Sequence, residues 1–156
     1  MDKTAVRQQI LSQLERDREL ALAAALTARE AATHEENIAE NKYDTLALEA
    51  GYLAEGQSKR LQEIIAALQA WQNMPLRTFD DETPIQVGAL VTLEDTQGQQ
   101  RVLFLGPDAA GLRVSDKGKE IMVITARSPI GTQLIGKLCG EDVQQGSQHF
   151  VIEGVI

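Results

Sequence analysis

Residues 61–75 read LQEIIAALQAWQNMP, and two signals meet in them. Leu61, Ile64, Ile65, Leu68 and Trp71 recur at i, i+3, i+4, i+7 and i+10, the spacing of one face of an α-helix. Pro75 then stops the pattern, because proline has no N–H to donate and its ring clashes with the preceding turn. Upstream of this point the chain has no proline, and its only glycines are Gly51 and Gly56. Ala, Leu, Glu, Gln and Arg dominate there, and these are strong helix formers. Downstream come all four prolines, most of the glycines and many Val, Ile and Thr residues. The composition therefore predicts helix first and sheet second, an α+β chain.

Working back towards the N-terminus, Leu53 and Leu46 extend the stripe in steps of seven, giving a helix from about Lys42 to Asn73. A first helix is predicted from about Thr4 to Thr33. Val6, Ile10, Leu14, Ala21, Ala24, Ala25, Ala28 and Ala32 lie at helical spacing in it, with Asp17 interrupting the stripe. A helix of about 30 residues is roughly 45 Å long and has no core of its own. Pairing the two stripes as an antiparallel coiled-coil hairpin buries both. The polar His34-Glu35-Glu36-Asn37 would be its tip. Gly51 and Gly56 are read either as tolerated surface glycines or as points of close backbone approach.

Past Pro75, residues 75–84 read as a linker and 85–156 as a small sheet domain, leaving 1–74 as the hairpin domain. Strands are expected at Ala89–Glu94 and Gln100–Leu105, joined by the turn Asp95-Thr96-Gln97-Gly98. Others are expected at Gly111–Val114, Glu120–Thr125 and His149–Ile156. Pro129–Leu134 is predicted as a short helix, with Ser128 as N-cap and Pro129 at the first helical position.

Composition bounds the function. The formal net charge is -8. Coating a phosphate backbone needs clustered Lys and Arg, so a nucleic-acid role would have to pass through a protein partner. Cys139 is the only cysteine, which rules out an intramolecular disulfide and fits a reducing, cytoplasmic setting. No Cys/His cluster suits structural zinc, and no phosphate loop or nucleophile elbow is present. No apolar run is long enough for a membrane span. The chain therefore reads as a non-enzyme with no cofactor of its own.

Two segments resemble the GreA/GreB family of bacterial transcript cleavage factors. Glu40-Asn41 through Glu49 to Glu55-Gly56 resembles that family's hairpin tip and descending helix. Ser128-Pro129-Ile130 followed by Leu134-Ile135-Gly136-Lys137 is similar to the signature of its C-terminal domain. Gly140-Glu141-Asp142 and the final strand follow in the same order. The resemblance implies an FKBP-like C-terminal domain that grips the rim of the RNA polymerase secondary channel, with Arg127, Ser128 and Pro129 as the partner-binding segment. It further implies a coiled coil that carries tip residues to the polymerase active centre and close to the nascent RNA. There Glu40, with Asn37 and Glu36, would assist the polymerase's own hydrolysis of RNA, and Glu40 would transiently ligate the polymerase's Mg²⁺. Mg²⁺ prefers hard oxygen ligands and keeps several waters, so one carboxylate on a rigid arm suits it. The factor would act as a monomer.

One departure opens a second reading. The family carries two acids three residues apart, and a gapless match puts Asn37 at the first and Glu40 at the second. Asparagine brings no charge to a divalent ion, so the alternative is a secondary-channel regulator without cleavage activity. Two further alternatives come from other classes: a coiled-coil adaptor, and an FKBP-type isomerase or chaperone. The isomerase would need an aromatic pocket built from Phe79, Phe104 or Phe150.

Overall fold

The computed structural model describes residues 1–38 and 45–156. It shows two long helices that form a hairpin, followed by a six-stranded sheet with one short helix. The chain divides into two compact units. One comprises Met1–Leu11 with Gln69–Ile156, and the other Ser12–Leu68.

Helix α1 spans Lys3–Ile38 and α2 spans Thr45–Asn73. The helix predicted to end near Thr33 thus runs to Ile38, and His34–Asn37, expected at the tip, is helical. Nothing there breaks a helix: the segment holds neither Gly nor Pro, and polarity alone does not end one. Asp2 starts α1, its Oδ1 accepting from Thr4 N at 2.9 Å and Ala5 N at 3.3 Å.

Within the Ser12–Leu68 unit, Leu14, Ala21, Ala25, Ala28 and Ala32 are buried on α1, and half-buried Asp17 completes their spacing of threes and fours. Gln13 Nε2 donates to Asp17 Oδ1 at 2.9 Å, which satisfies that carboxylate within its own helix. On α2 a sheltered stripe runs through Ala50, Ala54, Gln57, Leu61, Ile64 and Leu68 in steps of four and three, with Ala67 buried beside it. Two residues expected in this stripe are outside it, Leu53 at 58% exposure and Ile65 at 37%. Small Ala54 occupies the inward position beside Leu53. The side chain of Leu46 lies outside the described residues.

The close backbone approach considered for Gly51 and Gly56 is not found. A Cβ at either would meet nothing within 4 Å. Since Gly in a helix interior is about 1 kcal/mol less favourable than Ala, Gly51→Ala and Gly56→Ala are each expected to stabilise the hairpin by about that amount. Thermal unfolding followed by circular dichroism checks this, and a fall in midpoint for either variant would refute it.

In the other unit the strands are β1 (Leu90–Asp95), β2 (Gln100–Leu105), β3 (Arg113–Asp116), β4 (Lys119–Ile124), β5 (Asp142–Gln145) and β6 (Gln148–Val155), with helix α3 at Pro129–Leu134 between β4 and β5. The sheet order is β3-β4-β2-β1-β6-β5. Every pairing is antiparallel except β2 with β4. The β1–β2 hairpin closes on Asp95, whose Oδ1 accepts from Gln97 N and Gln99 N at 2.8 and 2.9 Å. Strand β5 was not among the expected strands. It is held from outside the ladder too: Gln133 Oε1 on α3 accepts from Gln144 N at 3.0 Å.

Strand alternation divides the apolar residues between two faces. Val91, Leu93, Leu103, Leu105, Ile124 and Ile152 belong to the main core, together with Ile130 and Leu134 of α3. Phe104 points the other way and carries Trp71. Their rings are 5.1 Å apart at 78°, an edge-on contact. The indole Nε1 donates to Asp108 O at 3.0 Å. The segment read as a linker is packed at Phe79, which is buried in the main core. Lys3 Nζ donates to Gly88 O at 2.9 Å and lies 4.9 Å over the Phe79 ring. Burial lowers the Lys3 pKa.

Candidate functional site

The expected tip residues divide in the structure. Glu36 and Asn37 belong to the last turn of α1. Glu40 lies outside the described residues, as do Asn41 and Asp44.

The second candidate, Arg127-Ser128-Pro129, is described in full. The chain leaves β4 at Ile124, turns through Thr125–Ser128 and enters α3 at Pro129. Pro129 takes the first helical position, where the missing N–H is no loss. Ser128 is the N-cap residue, as expected, but its side chain makes no capping hydrogen bond. Its Oγ instead accepts from Thr125 N at 3.0 Å, which closes the turn backwards rather than forwards. Ser128 N also donates to Thr125 O at 3.0 Å. Thr132 Oγ1 reaches back to both Ala126 O and Ser128 O at 3.0 Å. The loop before α3 is therefore held by its own hydroxyls.

The apolar residues of this segment anchor it. Ile130 and Leu134 are buried in the main core, while Arg127 and Pro129 are exposed. After the helix, Gly136 adopts φ 84°, a left-handed conformation that suits glycine. Gly136 N donates to Ile85 O at 2.8 Å and Ile85 N to Lys137 O at 2.9 Å. The motif is thus a clamped loop, helix and turn that presents Arg127 and Pro129 outward.

The sequence reading missed what lies beside Arg127. The loop Gly106–Ala110 faces it across a cavity of about 340 Å³, walled by Pro107, Asp108 and Ala109 together with Thr125 and Arg127. Ala109 has φ 64°, which L-residues rarely adopt, and its N–H donates to Asp108 Oδ1 at 2.6 Å. The only signal in the sequence was the chain break at Gly106-Pro107-Asp108. It marked a loop without saying what the loop would face.

The remaining candidates are structural in their surroundings. Cys139 is half-buried, with Sγ 3.4 Å from Glu153 O. Burial, followed by a hydrogen bond with Asp81, raises its pKa, which works against a reactive thiolate. Phe79 and Phe150 are part of the main core and Phe104 is buried under Trp71, so none of the three is free to line an isomerase pocket. Among the described residues, no group of three His, Cys, Asp or Glu is placed to hold a metal ion, and no helix is long and apolar enough to cross a membrane.

No family model matches the chain, and no curated protein matches it. Seven solved chains are similar to it. The chain resembles GreA factor homolog 1 of Thermus thermophilus. That likeness has 18% identity, covers 94% of each chain and scores a TM-score of 0.36. A structure of the transcription factor Gfh1 matches at 18% identity over 93% of this chain and 92% of the other, with a TM-score of 0.38. Gfh1 of Thermus aquaticus matches at 19% over 92% of each, again with 0.38.

Proposed function

We propose that this protein is a cytoplasmic, monomeric accessory factor of bacterial RNA polymerase that binds at the secondary-channel rim and stimulates the polymerase's cleavage of backtracked RNA. The observation that carries this reading is the Arg127–Lys137 segment. Its Ser128–Lys137 part resembles the signature of a Gre C-terminal domain, and here that part buries Ile130 and Leu134 while Pro129 and the preceding Arg127 are exposed to a partner. The helical hairpin supplies the reach. Its 36-residue α1 is about 54 Å long at 1.5 Å per residue.

In this reading the chain performs no reaction alone. The Mg²⁺ belongs to the polymerase and activates the attacking water when bound there. Glu40 offers one hard oxygen ligand near that ion, and Asn37 and Glu36 orient water beside it. Contact with RNA is confined to the tip, in keeping with the net charge of -8.

Asn37 favours a second reading, a channel-occupying regulator without cleavage activity. Transcript cleavage on a stalled, backtracked elongation complex separates the two. Under the first reading the wild type shortens the RNA and Glu40→Ala loses about a hundredfold in rate. Full activity in Glu40→Ala would remove the tip assignment. Under the second, the wild type leaves the RNA intact and blocks an authentic cleavage factor. No effect in either assay would overturn both.

A further inference from the structure

The sheet face that carries the main core is open over β2, β3 and β4. It forms a concavity of about 450 Å³ there, within the size range of ligand sites. Leu103 and Met122, partners in the β2–β4 register, make its apolar floor. Arg101, Arg113, Lys119 and Glu120 surround them. Three cations against one carboxylate form an electropositive island on a chain of net charge -8.

The cations are available in different ways. Arg113 Nη1 meets Glu120 Oε1 at 3.2 Å, with the two side chains 63% and 64% exposed. Such an exposed pair contributes little, so an incoming carboxylate can replace Glu120. Arg101 has no carboxylate partner among the described residues. It is nonetheless held in place, donating to Gln145 Oε1 at 3.2 Å and Gln148 Oε1 at 3.1 Å and lying 5.0 Å over the Phe150 ring.

We propose that this concavity is a docking groove for a short acidic segment of a protein partner, laid across the sheet face over β4. Its carboxylates meet Arg113 and Lys119, and an apolar side chain rests on Leu103 and Met122. The apolar floor supplies contact area, and the cations supply the selectivity. A long polyanion is disfavoured by the chain's net charge and by the few cations present, so the occupant is a peptide rather than a nucleic acid. The proposal is independent of the polymerase reading, since this groove shares no residue with the cavity at Arg127.

The test is an NMR titration of the full isotope-labelled chain with a short blocked peptide of alternating Glu and Leu. Saturable shifts are expected at the amides of β2, β3 and β4. The counterpart with Gln in place of Glu is expected to bind about tenfold more weakly, and Arg113→Glu to lose about as much for the acidic peptide. Glu120→Gln, which removes the competing carboxylate, is expected to tighten binding about threefold. Equal binding of the two peptides would overturn the proposal. So would unchanged binding by Arg113→Glu, a larger response of the same amides to a short single-stranded oligonucleotide, or no saturable shift at all.

Discussion

Gly106→Ala is expected to lower the stability of the sheet-containing unit by about 3 kcal/mol. A Cβ at this position would lie 2.2 Å from Trp71 Cζ2 and 2.7 Å from Cη2. The indole cannot easily step aside. It is fully buried, edge-on to Phe104 at 5.1 Å, and tied to Asp108 O through Nε1 at 3.0 Å. Moving it would forfeit the aromatic contact and leave a buried N–H without a partner. Replacing Gly also restricts the unfolded chain, which favours the variant by about 0.4–1 kcal/mol. That gain is smaller than the overpacking penalty, so the net effect is a loss. Urea unfolding followed by the fluorescence of Trp71, the only tryptophan, measures it. A double-mutant cycle with Trp71→Phe, followed by circular dichroism, sharpens the test. Phe lacks the outer ring atoms that a Cβ would strike, so the two changes are expected to be less than additive. Strict additivity would mean that Gly106 is not there to admit the indole.

What could be read from the sequence follows from where the deciding forces act. Leu61, Ile64, Leu68 and Trp71 announce α2 because a periodic apolar stripe is a local signal, and all four are sheltered in the structure. The β1–β2 hairpin is equally local, since Asp95 sets the turn with its own carboxylate. Leu53 is apolar yet exposed, so hydrophobicity at the right spacing does not by itself mean burial. A seam of alanines brings its small residues inward, and Ala50 and Ala54 take the sheltered positions while Leu53 is left outside. Helix α1 continues through the polar His34–Asn37 because polarity is a weak stop, and only Gly or Pro gives a strong local one. Strand β5 was invisible for a different reason. Asp142–Gln145 has one apolar residue, Val143, and depends on β6 and on Gln133 of α3, partners that no local pattern names. The candidate docking segment was legible as a motif through Ser128-Pro129. Its neighbour across the cavity, Gly106–Ala110, was not, because that contact spans separate loops joined only by the fold.

Gly131→Ala is expected to be at least as damaging, and its damage falls on the segment proposed to meet the polymerase. The added Cβ would lie 1.9 Å from Thr125 O and 3.0 Å from Thr125 C. Those atoms are backbone, so relief requires α3 to move away from the turn that precedes it. The turn resists, because Thr125 N donates to Ser128 Oγ and Thr132 Oγ1 donates to Ala126 O and Ser128 O. The helix resists too, because Ile130 and Leu134 are seated in the main core. Something in this set must give, and a cost of about 3 kcal/mol or more is expected. The consequence for function differs from that of Gly106→Ala. There the strain is taken up around Trp71, whereas here Arg127 and Pro129 are displaced from the surface they share. At a temperature where both variants remain folded by circular dichroism, Gly131→Ala is expected to bind polymerase more weakly than Gly106→Ala does. Equal polymerase binding by two folded variants would show that Arg127-Ser128-Pro129 does not set the affinity, and the docking assignment would then have to leave this loop.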